Sequence, residues 1–269
     1  MSDNDASSSS TDIHSARRYG PVTRAVGFLI VRFTWVMLRV LFRVRVVGLD
    51  NVPRKGPVLL ISNHPSFLEP ILFVAMAHMH LGRNAAFMAW DKLFGIPGVG
   101  AVVKSFGAFP VDLNNPGRKP YETLLRVLRA GGMAGVFPEG GRSTTALMGE
   151  WKPGALRAAL STDPVIVPVT VIGAQKAWPL DAIFPRFFRR ITLHIHPGRR
   201  IEDMGEGQVP MGSAKDWLKI VEEQVRREIN QPLIDDQQRS IERLAMNYPT
   251  NIRANVPTYP VALLPNGQS

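Results

Sequence analysis

No cysteine occurs in the chain. Disulfides, thiolate-bound zinc and thiol nucleophiles are therefore excluded, and the redox compartment stays undecided. A Gly-x-Ser-x-Gly elbow is also missing, so a serine nucleophile of that kind has no seat. No apolar run of spanning length is free of charge: the best candidate, 25–42, is interrupted by Arg32 and Arg39, which argues against an ordinary spanning helix. Gly98-Val99-Gly100 opens like a dinucleotide fingerprint, but its third glycine position is Val103, and a plain loop is the better reading. Acidic residues are scarce, 22 against 32 Lys and Arg, a net charge of +10. That excess favours an anionic partner: a phospholipid surface, a nucleic acid or a phosphorylated substrate.

What is present suits one large α/β domain with appendages. At 269 residues the chain can bury a sizeable core. Residues 1–20 open with a Ser- and Asp-rich stretch too poor in apolar side chains to order itself. The apolar segment that follows starts too late for a signal peptide and lacks a small-residue cleavage site. Over 21–44 we expect an amphipathic, membrane-associated helix. Arg32 and Arg39 share a face flanked by Phe28 and Trp35, and Val26, Ile30, Phe33, Met37 and Leu41 fall opposite. Arg17, Arg18, Arg24, Arg43 and Arg45 cluster around it. The alternative is a helix packed on the protein's own core with its arginines in water.

The main domain, 45–230, reads as alternating strands and helices. Strands are expected over 58–62, 85–89, 134–137, 165–171 and 191–196, from β-branched or apolar runs with Gly, Pro or Asn boundaries. Helices are expected over 70–80, 119–130 and 154–160. A further helix begins at the Ser213 cap, with Asp216 three residues on and Trp217, Ile220, Val221 and Val225 as its stripe. Within 231–269, a separate helix over 235–245 follows Pro232, and the tail from Pro249 lies extended. The fold class is α/β, a mixed central sheet flanked by helices with extra helices at both ends.

Two short stretches carry chemistry. Residues 63–70 read Asn-His-Pro-Ser-Phe-Leu-Glu-Pro. His64 and the Glu69 carboxylate flank a strand-to-helix turn. A carboxylate on one imidazole nitrogen fixes the tautomer and stabilises the imidazolium that forms when the other nitrogen takes a proton. Residues 137–143 read Phe-Pro-Glu-Gly-Gly-Arg-Ser and follow an apolar strand, at the end where open α/β sheets hold ligands. Glu139 accepts hydrogen bonds from hydroxyls, Gly140 and Gly141 allow close backbone approach, and Arg142 offers a fork to phosphate. By itself this second stretch is no more than a Gly-rich turn with a solvated ion pair.

Together the stretches resemble the glycerolipid acyltransferase family, which contains the 1-acylglycerol-3-phosphate acyltransferases. Its Asn-His-x4-Asp motif is matched by Asn63, His64 and Glu69. Its Phe-Pro-Glu-Gly-Thr-Arg-Ser block is matched by 137–143, with Gly141 for threonine. Its Gly-x-Ile/Phe-Pro-Val-Asp-Arg block is matched by 107–112, and its Val-Pro-Val block by Val167, Pro168 and Val169. Two departures stand out. Glu69 replaces the usual aspartate, and Leu113 replaces an arginine associated with the acceptor's phosphate.

The resemblance implies an acyltransferase domain over 45–230, with His64 and Glu69 catalytic. Asn63, Glu139, Gly140, Gly141, Arg142 and Ser143 would contact substrate. Lys104, Arg118 and Lys119 are candidate phosphate contacts in place of the lost arginine. The reaction implied moves an acyl group from acyl-CoA or an acyl carrier protein to a lysophospholipid hydroxyl, with 1-acylglycerol-3-phosphate as first choice. It requires no cofactor, no metal and no nucleic acid. The partners are a membrane lipid and the thioester donor, and the location is the cytoplasmic face of the cell membrane, peripheral or monotopic. Two alternatives stand: a non-phosphatidate acceptor such as a lyso-aminolipid or glycolipid, and a non-catalytic membrane-binding homologue.

Other tempting residues receive plainer readings. His78 and His80 point to different helix faces. His194 and His196 alternate on a strand without a carboxylate cluster, so structural histidine is expected. The run 184–190, Phe-Pro-Arg-Phe-Phe-Arg-Arg, suits lipid headgroups better than nucleic-acid bases once the family is considered. Arg199 and Arg200 are either solvated or part of a phosphate-binding surface.

Overall fold

Residues 58–62, Val-Leu-Leu-Ile-Ser, are buried without exception. A strand apolar on both faces must lie inside a sheet covered from two sides, and the rest of the chain is arranged around it. The computed structural model describes residues 21–97, 100, 107–112, 117–142, 147–152, 154–200, 203 and 214–246. The expected tails at 1–20 and beyond 249, Lys104, Ser143 and the Ser213 cap lie outside the described residues, as do the side chains of Trp217, Ile220 and Val221.

The order is α1 (Pro21–Leu41), β1 (Arg45–Val47), β2 (Val58–Ser62), α2 (Glu69–Met76), β3 (Ala85–Trp90), β4 (Phe109–Val111), α3 (Lys119–Arg129), β5 (Met133–Val136), α4 (Gly154–Thr162), β6 (Val165–Ile172), α5 (Ala174–Ala177), β7 (Thr192–Ile195) and α6 (Ala214–Met246). The sheet runs β1-β7-β6-β2-β5-β3-β4. All pairings are parallel except β6 with β7, so the expected mixed α/β sheet is found. The β1 and β4 strands are additions to the expectation. Each has three residues, too few for an alternation to stand out.

Period-2 alternation divides the core. Val58 and Leu60 pack with α1 and α2, while Leu59 and Ile61 pack with α3, α4 and α6. The expected helix 70–80 begins at Glu69 and closes with a π-helical turn, Ala77–Leu81, that ends on Gly82 in the left-handed region.

Helix α1 departs from the expected stripe. It buries Val31, Trp35, Leu38 and, just past its end, Phe42, and leaves Ile30 and Phe33 exposed. Trp35 meets the edge of His80 at 5.0 Å instead of flanking the arginines in an interface. Apolar side chains occupy nearly every side of this segment, so hydropathy offered several stripes, and packing against α2 and the π-helical turn chose one.

The expected break at Pro232 is also corrected: α6 is one helix that runs through the proline and across the boundary drawn at 230. Val225, Ile229 and Leu233 are buried on both sides of the break point. Thr170 donates its hydroxyl to the Ile229 carbonyl at 2.8 Å, in the turn a proline disturbs. Asn230 clasps Met148 through both backbone groups. These contacts offset the helix-breaking tendency. The same Thr170 hydroxyl lies 2.9 Å from His196 Nε2. Because that hydroxyl donates to Ile229, the imidazole is the donor here. Burial pushes His196 down to about 4, helped by His194 and Arg199, so the plain structural reading of this histidine holds.

Candidate active site

The His64 loop leaves the C-terminal end of β2, and α2 begins with Glu69. Pro70 follows in the first turn, where a missing N–H costs nothing. A carboxylate in that first turn also complements the helix dipole. Glu69 is fully buried, yet it receives three donors. His64 Nδ1 lies 2.8 Å from Oε2. The Ser66 N–H reaches the same oxygen at 3.0 Å, and the Ser66 hydroxyl reaches Oε1 at 2.6 Å. Since the carboxylate only accepts, His64 carries its proton on Nδ1 and leaves Nε2 as the basic nitrogen. The glutamate therefore makes contact at ordinary hydrogen-bond length despite its extra methylene, and Ser66 holds the longer side chain curled toward the imidazole.

The ring is also held from its face. Phe137 stacks on His64 with centroids 4.0 Å apart and planes at 14°. Phe137 in turn neighbours Phe87 and Phe73. Gly135 makes room for this aromatic row: a Cβ there would lie 1.8 Å from the Phe87 ring.

The second stretch comes to the same place. Glu139 Oε2 accepts from the Gly149 N–H at 3.0 Å, while its other oxygen is buried without a partner among the described residues. Burial holds this carboxyl above the usual carboxylate range, against the opposing influence of Gly149 and His64. Gly140 sits in the left-handed region against Lys152, where a side chain would collide with the lysine. Gly141 is exposed. Arg142 is exposed and lies 3.8 Å over the Phe67 ring, and Phe67 in turn contacts Trp178 at 5.3 Å.

Other expected residues lie differently. Asn63 is fully buried, and its amide bridges both backbone groups of Val171 at 2.8 and 3.1 Å. It ties the end of β2 to β6 and shapes the turn, instead of facing a ligand. Arg118 and Lys119 open α3 at the same sheet edge as His64. The strand that precedes that helix, β4, is the third along the sheet from β2. Arg118 is exposed and 4.0 Å from Glu122.

Ser66, Phe67, Phe137, Gly149 and Trp178 were not singled out by residue type. Ser66 and Phe67 lie inside the His64 motif and Phe137 opens the 137–143 stretch, so these three carried a local signal; Gly149 and Trp178 meet the site only through the fold. Among the described residues, no group of three or more His, Cys, Asp or Glu gathers as a metal site would.

Residues 43–172 of this chain match the Acyltransferase family model. The chain is 30% identical over 159 residues to a chloroplastic 1-acyl-sn-glycerol-3-phosphate acyltransferase of Arabidopsis thaliana, covering 57% of this chain and 43% of that one. It is 25% identical over 177 residues to a 1-acyl-sn-glycerol-3-phosphate acyltransferase of Borreliella burgdorferi, covering 62% and 69%. This chain thus spans less than half the length of the plant relative. Its fold is similar to the crystal structure of the 1-acyl-sn-glycerophosphate acyltransferase of Thermotoga maritima, with a TM-score of 0.56 at 24% identity over 82% of this chain and 83% of that one.

Proposed function

We propose that the protein transfers a fatty acyl group from an acyl thioester, acyl-CoA or acyl carrier protein, to the free hydroxyl of 1-acylglycerol-3-phosphate. The observation that carries this reading is the His64–Glu69 contact of 2.8 Å, which leaves Nε2 as the base. Nε2 takes the proton of the acceptor hydroxyl, and Glu69 stabilises the resulting imidazolium. The alkoxide oxygen attacks the thioester carbonyl. The tetrahedral adduct collapses with loss of the thiolate, which recovers the proton from His64. No covalent acyl-enzyme forms. Glu139 and Arg142 position the acceptor, Glu139 through the oxygen that no donor occupies among the described residues.

The relatives' names support lysophosphatidate as acceptor. Leu113 supports a second reading, in which the acceptor lacks that phosphate, because the family's arginine is missing there. The full set of donors to Glu69 speaks against a non-catalytic homologue.

The proposed setting is the membrane surface, peripheral or monotopic, on the side where acyl thioesters are available. Among the described residues no helix is long and apolar enough to cross a membrane. The outward side of α1 nevertheless exposes Phe28, Leu29, Phe33, Val36 and Val40 around Arg32 and Arg39, a composition suited to the interface.

The test is thiol release from acyl-CoA and acyl carrier protein with a panel of lysolipids. Wild type should release thiol with one acceptor class and His64→Ala should not. Equal slow release by both with every acceptor would end the enzyme reading.

A further inference from the structure

A groove with a volume of about 610 Å³ opens between the end of α1, α5, the segment before β7 and the far half of α6. Its walls carry Arg43, Lys176, Arg189, Arg190 and Arg239, with Asp236 as the single acid among the described residues. Lys176 is paired with Asp236 at 3.7 Å. The guanidinium groups of Arg43, Arg189, Arg190 and Arg239 are exposed, and no side-chain partner answers them among the described residues. Four unneutralised arginines facing one concavity repel one another unless an anion joins them.

The rim supplies a second observation. Phe188 lines the groove with φ 62, in the left-handed region, and is 61% exposed. Arg43, which also lines the groove, has φ 45. Bulky residues avoid this region, and nothing in the core requires an exposed phenyl there. The strained turn is fastened instead to the helix end: the Phe188 N–H donates to the Leu41 carbonyl, and Phe187 packs on Phe42 at 5.8 Å. Ile183, Phe184, Phe187 and Phe188 are all exposed around it, at the end of the apolar side of α1. Phenyl rings beside unpaired arginines match the two layers of a lipid interface, acyl region and phosphate.

We propose that this groove binds the phosphate headgroup of an anionic bilayer glycerophospholipid while the neighbouring phenyl rings enter the acyl region. The enzyme then attaches preferentially to anionic membranes. The groove lies at the His64 end of the sheet, where the ends of β6 and β7, the first and second strands along from β2, contribute Ile172 and Thr192; its lining includes neither His64 nor Glu69. The proposal stands independently of the base assigned to His64.

Vesicle flotation of the full chain tests it, with phosphatidylcholine vesicles against phosphatidylcholine–phosphatidylglycerol vesicles. Wild type should prefer the anionic vesicles. Arg189→Glu with Arg190→Glu should lose that preference by about tenfold or more. Arg129→Glu with Arg157→Glu, equally charge-changing on exposed positions of α3 and α4, should keep it. Phe188→Gly removes the ring and suits the left-handed backbone. It should retain or raise the melting temperature while weakening binding to both vesicle types. Persistence of the preference in the groove variant overturns the proposal, as does equal loss in the control pair. A persistent preference accompanied by a raised KM for lysophosphatidate in detergent would assign the groove to the acceptor's own phosphate, which also overturns it.

Discussion

Glu69 Oε2 lies 2.8 Å from His64 Nδ1 and accepts the Ser66 N–H as well. The carboxylate is fully buried, so its reach is set by the start of α2 and not by solvent. Two substitutions separate charge from reach. Glu69→Gln keeps the size but removes the charge that, on the proposed mechanism, would stabilise the imidazolium, and kcat should fall about 100-fold or more. Glu69→Asp withdraws the carboxylate by about 1.5 Å. In this backbone it should lower kcat as well, although the family's motif carries aspartate. Steady-state thiol release with a saturating acceptor measures both. Full activity of Glu69→Asp would show that the loop re-forms around the shorter side chain.

Phe137 is expected to position the base. Its ring covers one face of the His64 imidazole at 4.0 Å. Phe137→Leu keeps apolar bulk but loses the flat contact, so kcat should drop about tenfold while KM changes little. Phe137→Tyr should recover most of the rate. A matching fall for both variants would mean that ring stacking does not matter.

Gly135→Ala should destabilise the protein by about 2 kcal/mol or more, because the new methyl would overlap the Phe87 ring at 1.8 Å. Urea unfolding measures this directly. The double variant Gly135→Ala with Phe87→Leu should recover part of the loss, since the clash is with that ring.

His196 makes stability depend on pH. Its folded value is pushed down to about 4 from an ordinary value of 6.5. Between these values the unfolded chain binds the extra proton and the folded one does not, so stability rises with pH across this window and is lost as pH falls from 6.5 toward 4. His196→Gln keeps a donor for Thr170 and does not titrate. Its melting temperature should therefore fall less steeply than that of wild type between pH 6.5 and 4. Parallel curves would assign the acid sensitivity to other groups.

Much of the site was readable because its chemistry is local. His64 and Glu69 are five residues apart across one turn, and residues 137–142 form one loop, so the spacing of residue types carried the geometry. The supporting contacts were not readable. Asn63 meets Val171 across 108 residues, and Phe137 meets His64 only because β5 is paired beside β2. Strand neighbours far apart in the chain leave no mark on local periodicity. Arg118 and Lys119 illustrate the converse: their charge suggested a phosphate contact, but charge alone does not say which strand's helix carries them, and that helix follows β4.

Short-range stereochemistry and hydropathy alone determined the α/β class, the buried strand at 58–62, most strand and helix positions, and the pairing of a histidine with a carboxylate. Each depends on side chains within a few residues of one another. Which stripe of α1 faces inward, whether α6 survives Pro232, and how Glu69 reaches the imidazole were decided by tertiary structure. In each of these cases local preference allowed more than one outcome, and the outcome realised buries apolar side chains such as Trp35 and Ile229 while giving buried polar groups such as Glu69, Asn63 and Thr170 their partners.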